Sequence, residues 1–202
     1  QWDWEKIILR PQRTLEQLEE TVRLIVRSLK ETDEVLCANV PQITPIIEEK
    51  VKFITAQELL DRYPSLTAKQ REDAVTKEYG TVFIEQIGGL LSNGQPHDGR
   101  APDYDDWQLN GDLLIWDAVL NRAMEISSMG IRVDEASMID QLNKAGCPQR
   151  SVLPFHRALL AGDLPLTMGG GIGQSRICML LLHKAHIGEV QASLWPPIMR
   201  KL

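Results

Sequence analysis

Four glycines fall within five positions in the run Leu166-Thr-Met-Gly-Gly-Gly-Ile-Gly-Gln-Ser-Arg176. A chain tolerates such a run where backbone must approach a ligand closely or take positive φ. The apolar stretch 177–182 follows at once and predicts a helix behind a glycine loop. Arg176 stands at the junction, where a guanidinium can stack on a flat base and balance phosphate charge. Two common nucleotide-binding patterns do not fit. The run has no Lys-Ser/Thr pair of a Walker loop, and no strand–Gly-x-Gly-x-x-Gly–helix unit surrounds it. A plain glycine-rich turn between two packed elements accounts for the run about as well.

Composition narrows the classes. The chain has 202 residues, 43% hydrophobic and 25% charged, enough for one substantial core. A net charge of −6 argues against nucleic acid or an anionic membrane as the main partner. No apolar stretch reaches the length of a bilayer span. Cys37, Cys147 and Cys178 are odd in number and lie in no Cys-x-x-Cys spacing. They read as free thiols in a reducing, cytoplasmic compartment. The first residues, Gln1 to Leu9, are strand-like and aromatic-rich with no initiator Met, so the chain is expected to be a portion of a larger protein.

Capping-box spacing at Thr14/Gln17, with apolar residues at Leu15, Leu18, Val22, Ile25 and Leu29, predicts a helix over 14–32. Thr55/Glu58 and Thr67/Gln70 open two short helices, ended by Tyr63-Pro64 and Gly80. Segments 51–54 and 81–87 read as strands, the second broken by Gly88-Gly89. A polar loop, 92–106, is long enough to be a working loop. Strands at 112–117 and 123–128, helices at 134–144 and 154–160, then the glycine loop and its helix complete the chain. Strands mixed with helices without βα alternation predict an α+β domain on a mostly antiparallel sheet. The whole chain, 1–202, is expected to be one catalytic domain.

Several groups can carry chemistry. Asp112 and Glu125 fall on neighbouring predicted strands, and two carboxylates on one sheet face can hold Mg²⁺ while phosphates complete its shell. Asp112, beside Asn110-Gly111, can equally be a turn residue. Glu125 lies among Met124, Ile126 and Met129, where an ionised carboxylate needs a partner or a metal. Arg132 can clamp a substrate carboxylate if a bend at Gly130 returns it to the face of Glu125; otherwise it pairs with Asp134. Gln1 and Asp3 share one strand face, opposite Trp2 and Trp4, and suit an ammonium group, although a frayed terminus is the plainer reading. His97, Asp98 and Arg100, close to Asp105, suit a lid over a phosphate-bearing substrate or a merely solvated loop. The four histidines have no metal-ligand spacing.

In order along the chain, Gln1-Trp-Asp-Trp-Glu5, Gln57-Glu-Leu-Leu-Asp-Arg-Tyr-Pro64, Arg100-Ala-Pro-Asp-Tyr-Asp-Asp-Trp107, Asn110-Gly-Asp112, Glu125-Ile-Ser-Ser-Met-Gly-Ile-Arg132 and Gly169-Gly-Gly-Ile-Gly-Gln-Ser-Arg176 resemble the ammonia-dependent asparagine synthetases. That family is built on a class II aminoacyl-tRNA synthetase core. The resemblance implies that Arg176, with Gly169, Gly170, Gly171 and Gly173, corresponds to motif 3 and packs on the adenine of ATP. It implies that Asp112 and Glu125 hold Mg²⁺, that Gln1 and Asp3 recognise the ammonium of L-aspartate, and that Arg132 grips its carboxylate. Ser127 and Ser128 line the same stretch, and Arg100 and Asp105 belong to a loop near ATP and aspartate.

Two departures stand out. The family carries a long segment before the counterpart of Gln1, with the dimer-forming motif 1, and a longer polar loop where this chain has only Gln108. The implied activity is ATP-dependent joining of L-aspartate and ammonia through a β-aspartyl-adenylate, in a cytoplasmic homodimer with no nucleic-acid or membrane partner. The alternatives are an aspartyl- or asparaginyl-tRNA synthetase-like adenylating core and a non-catalytic aspartate- or nucleotide-binding paralogue.

Overall fold

The computed structural model describes residues 1–199; residues 200–202, the end of the expected domain, lie outside the described residues. Threonine caps set the first helices. Thr14 accepts from the Gln17 backbone N–H at 3.2 Å and opens α1, Leu15–Asn39. Complete capping boxes, Thr55 with Glu58 and Thr67 with Gln70, open α2 (Ala56–Arg62) and α3 (Ala68–Tyr79). Gly80, at φ +74°, ends α3.

Helix α1 runs past its predicted end near residue 32, because Asp33 is satisfied inside the fold. It is fully buried, and its Oδ2 accepts the backbone N–H groups of Ile46 at 2.7 Å and Ile47 at 3.0 Å. Asp33 thereby continues the buried stripe Leu18, Val22, Val26, Leu29 and pins the returning chain.

The strands are β1 (Trp2–Ile7), β2 (Val51–Thr55), β3 (Thr81–Glu85), β4 (Asp105–Asp117), β5 (Arg122–Arg132) and β6 (Thr167–Ile172). They form one sheet in the order β1-β6-β5-β4-β3-β2. Only β2 and β3 run parallel, and the α2–α3 crossover between them is the long connection a parallel pair requires. The remaining helices are α4 (Glu135–Lys144), α5 (Pro154–Leu160) and α6 (Gln174–Leu181). The α+β, mostly antiparallel reading therefore holds.

Alternation along the strands divides the core. Phe83, Leu113, Ile115, Met129 and Ile131 pack with residues of α1 and α6 on one face. Val82, Ile84, Leu114 and Ala123 pack with residues of α2 and α3 on the other. Those two helices cover the β2–β4 part of their face and the Ala123 end of β5. The β5–β6–β1 half carries the cavity described below.

Two expectations change. The glycine run is not a loop: Gly169, Gly170 and Gly171 lie inside β6, between β1 and β5, and none has positive φ. Close approach explains them, since a Cβ on Gly170 would stand 2.5 Å from Met129 Cβ and 2.8 Å from the Ser128 carbonyl oxygen. The polar loop also ends sooner than expected, with Asp105 and Asp106 already in β4. Asp105 pairs with Arg132 and Asn110 with Gly130, so residues 106–109 face Ile131 alone in a wide bulge. Arg13 clamps this bulge, donating to Asp106 at 2.8 Å and to the Arg132 carbonyl.

Candidate active site

Strand parity aims the site residues. Trp4 packs toward the α1 core, which leaves Gln1, Asp3 and Glu5 to the opposite face of β1. Asp112 is no turn residue: it sits in mid-β4, opposite Ser128. On β5 a second bulge does what a bend at Gly130 was expected to do. Leu113 pairs with Ser127 and Leu114 with Glu125, so Ile126 is the extra residue. Met124 and Ile126 face the core before the bulge, Met129 and Ile131 after it. Glu125 and Arg132, seven positions apart, thereby share the other face. Gly130 itself stays extended, paired with Asn110 and Gly169.

A cavity of about 700 Å³ lies over this half of the sheet. Gln1 and Asp3 line it from β1, and Glu125, Ser127 and Ser128 from β5. Gly170 and Gly171 form its floor, and Gly173 and Arg176 one wall. Arg100 and Asp105 enter from the loop side. Gly169, Asp112 and Arg132 are not in the lining. They stand directly behind it: Asp112 bonds Arg100, and Arg132 bonds Asp105.

Each acidic group has a specific electrostatic setting. Gln1 Nε2 donates to Asp3 Oδ1 at 2.6 Å, which leaves the Gln1 carbonyl oxygen free to accept. Arg176 donates to Glu125 through both its carbonyl oxygen, at 2.9 Å, and its carboxylate, at 3.2 Å. Asp112 is 7% exposed. Burial pushes its pKa up to about 6, with Arg100 opposing the rise and the Glu125 charge adding to it. Burial likewise raises Asp105, against the opposing charge of Arg132.

Arg132 does not pair with Asp134, which bonds Arg10 and Arg13 instead. It donates to Asp105 and, at 2.7 and 3.1 Å, to Glu5, with its guanidinium 4.1 Å from the Tyr104 ring centroid. Burial alone would raise the Glu5 pKa, but the bonds from Arg132 and Thr167 hold it below the usual glutamate value.

The residues fit a divalent cation of the magnesium type. Asp112 and Glu125 offer hard carboxylate oxygens on adjacent strands, and their mutual repulsion is what a cation relieves. No group of three or more His, Cys, Asp or Glu side chains among the described residues makes a metal cage. Two carboxylates completed by phosphates and water match how Mg²⁺ is ordinarily held.

Sequence reasoning missed several contributors. Glu5, which closes on Arg132, shares the parity of Asp3, and that signal was available. Tyr104, inside the Arg100–Trp107 motif, and Ile187 and Gln191, from the end of the chain, also line the cavity, although the sequence attaches no role to them. Gln141 on α4 fixes the Arg100-bearing loop, bonding Pro102 and Asp105 carbonyls at 3.0 Å and the Trp107 N–H at 2.7 Å. His97, which in the sequence suits a lid, is instead buried and anchors the same loop, bonding Glu72 on α3 at 3.2 Å.

Comparison with solved structures gives the class. Asparaginyl-tRNA synthetase from Pyrococcus horikoshii superposes with a TM-score of 0.66 at 17% identity, over 96% of this chain and 49% of that one. Aspartyl tRNA synthetase from Entamoeba histolytica gives 0.64 at 16%, over 97% and 43%. The fold is that of the class II aminoacyl-tRNA synthetase core. Within that class, the aspartate-ammonia ligase family profile matches residues 1–202, and the chain belongs to this family. It is 60% identical to the aspartate--ammonia ligase of Clostridium perfringens over 195 residues, 96% of this chain and 58% of that protein. It is 58% identical to that of Lactobacillus johnsonii over 200 residues, 98% and 60% respectively. The chain thus spans about three-fifths of the length of these relatives.

Proposed function

We propose that the protein joins L-aspartate and ammonia into L-asparagine, cleaving ATP to AMP and pyrophosphate through a β-aspartyl-adenylate. One observation carries the reading: an ammonium-suited pair, Glu125 and a base-stacking arginine line a single cavity, with Asp112 held directly behind it by Arg100, in a chain of this family.

Asp3 supplies charge for the substrate ammonium. The Gln1 carbonyl oxygen, oriented because its amide nitrogen is committed to Asp3, accepts one of the ammonium's N–H bonds. Arg132 grips a substrate carboxylate by exchanging one of its present carboxylate partners, with Tyr104 holding the guanidinium plane. Arg176, tethered by Glu125, covers the adenine face, and the glycine strand lets the nucleotide lie against backbone. Ser127 and Ser128 border the reacting groups.

The aspartate side-chain carboxylate attacks the α-phosphorus, and pyrophosphate leaves. Ammonia then attacks the acyl carbon, AMP leaves with the bridging oxygen, and the nitrogen sheds a proton. No protein nucleophile is needed; positioning and preformed charge supply the rate. Asp112 and Glu125 would hold Mg²⁺, which when bound neutralises charge on the phosphates. The family reading brings with it a cytoplasmic homodimer.

The test is a product assay on the full-length protein with L-aspartate, ATP and ¹⁵N-ammonium. Amide-labelled asparagine with an equal amount of AMP is expected. Formation of ADP refutes the adenylate, and label transfer that needs tRNA, or no turnover at all, refutes the ligase reading.

A further inference from the structure

A second cavity, of about 370 Å³, sits at the far end of β4. Asp117 has the parity of Leu113 and Ile115, which face α1 and α6, whereas Asp112 faces the active site. Five residue steps along the strand separate the two aspartates, about 17 Å. The cavity is therefore distinct from the catalytic one. Its walls are apolar where Ile46, Trp116, Val119 and Leu180 meet.

Two polar side chains lining this cavity have buried atoms without a hydrogen-bond partner, Asp117 Oδ2 and His183 Nε2. Asp117 is 3% exposed. Its Oδ1 caps the β4–β5 turn, accepting from Val119 N at 2.8 Å and Leu120 N at 3.0 Å, so only Oδ2 is left over. A buried carboxylate oxygen with no donor is costly, and its natural complement is an N–H group. His183, just past α6, is held at φ 53°, a left-handed conformation rare for a side-chain-bearing residue. Glu78 on the cavity rim is already paired with Arg62 at 2.7 Å, so the charges that remain around the cavity are those of Glu48 and Asp117 against Lys77. The Lys77 ammonium already stands 5.4 Å from the Trp116 ring centroid, so that ring receives positive charge.

We infer that this cavity is a second ligand site, built for a small primary ammonium compound with a short apolar body. The ammonium donates to Asp117 Oδ2 and His183 Nε2, and the body packs on Trp116 and Leu180.

The test titrates ¹⁵N-labelled full-length protein with n-propylammonium chloride at constant ionic strength, followed by TROSY spectra. Saturable shifts at the Trp116 indole and the Val119 amide are expected, and 1-propanol should not reproduce them. Asp117→Asn keeps Oδ1 for the turn but replaces the free acceptor with a donor, and should weaken binding at least tenfold. His183→Asn, which tolerates the left-handed backbone, should also weaken it and guards against misfolding of the first variant. Asp3→Asn, in the active site, should leave these shifts unchanged. The inference is overturned by shifts that do not saturate, that persist in both cavity variants, or that vanish with Asp3→Asn.

Discussion

Gly170 and Gly171 are adjacent in β6, yet the structure assigns them different duties, and two alanine substitutions separate them. At Gly170 an added Cβ meets Met129 Cβ at 2.5 Å and the Ser128 carbonyl oxygen at 2.8 Å, groups close to or within the β5 backbone. Carbon–carbon contact needs roughly 3.5 Å or more, so β5 must retreat by about 1 Å. Gly170 pairs with Met129 in the β5–β6 ladder, and that retreat strains the sheet. Overpacking of this kind costs about 1–3 kcal/mol, which for a domain of this size lowers Tm by roughly 2–12 °C. At Gly171 the Cβ meets only the ends of Gln1 and Asp3, with Asp3 Oδ1 at 2.8 Å. Both side chains are exposed and can swing away, so Gly171→Ala should fold within about 0.5 kcal/mol of the parent. It should nonetheless raise the aspartate KM about tenfold or more by displacing the pair proposed to bind the substrate ammonium. Thermal unfolding and aspartate-dependent AMP release on both variants decide the matter. Equal loss of Tm in the two variants, or an unchanged aspartate KM in Gly171→Ala, would refute the assignment.

Other consequences follow from charge. Arg176→Ala should raise the ATP KM about 5–30-fold, the value of a stacked guanidinium, while changing that for aspartate little; an equal rise in both would remove Arg176 from the adenine face. Glu85 is buried at the end of β3 with Oε1 unpartnered, and burial, with Glu19 and Glu58 nearby, raises its pKa to about 7. A raised carboxyl favours the folded state only while protonated, so its contribution is complete below about pH 4.5 and lost as pH climbs through 7. Glu85→Gln should therefore flatten the stability profile between those values and raise stability at pH 8 by up to about 3 kcal/mol, read by urea unfolding. Glu125→Gln should keep the fold, since its carboxylate is 40% exposed, yet abolish Mg²⁺-dependent turnover; near-normal activity would take it out of the metal site.

The sequence made the scaffold legible wherever signals were local. Capping signals at Thr14, Thr55 and Thr67 and the stop at Gly80 mark elements the fold contains, because each motif is satisfied within one helical turn. Ordered motifs also made the family legible. What escaped was non-local. The apolar spacing of α1 stops near residue 32, whereas Asp33 extends its buried face by accepting the amides of Ile46 and Ile47 from the returning chain. The glycine run reads as a loop because glycine signals conformational freedom, whereas its role here is to let three strands close up. The bulge at Ile126 leaves no mark in spacing, though it alone brings Glu125 and Arg132 to one face.

That shared face has a charge consequence. Three arginines, Arg100, Arg132 and Arg176, meet five carboxylates in and behind the cavity, those of Asp3, Glu5, Asp105, Asp112 and Glu125. Each guanidinium is already paired, so a polyphosphate entering this site gains no free positive charge from them. It must either draw arginines away from carboxylates, leaving buried Asp112 and Asp105 uncompensated, or bring cations with it. The second route keeps every charge neutralised: phosphate oxygens take Arg100, Arg176 stays tethered to Glu125 on the base, and a divalent ion takes the Asp112 carboxylate that Arg100 releases together with a Glu125 oxygen. If the cavity takes ATP as proposed, this acidic excess is the reason nucleotide and metal should bind as one unit, while the Gln1–Asp3 pair, across the glycine floor, keeps its negative charge for the proposed amino-acid ammonium.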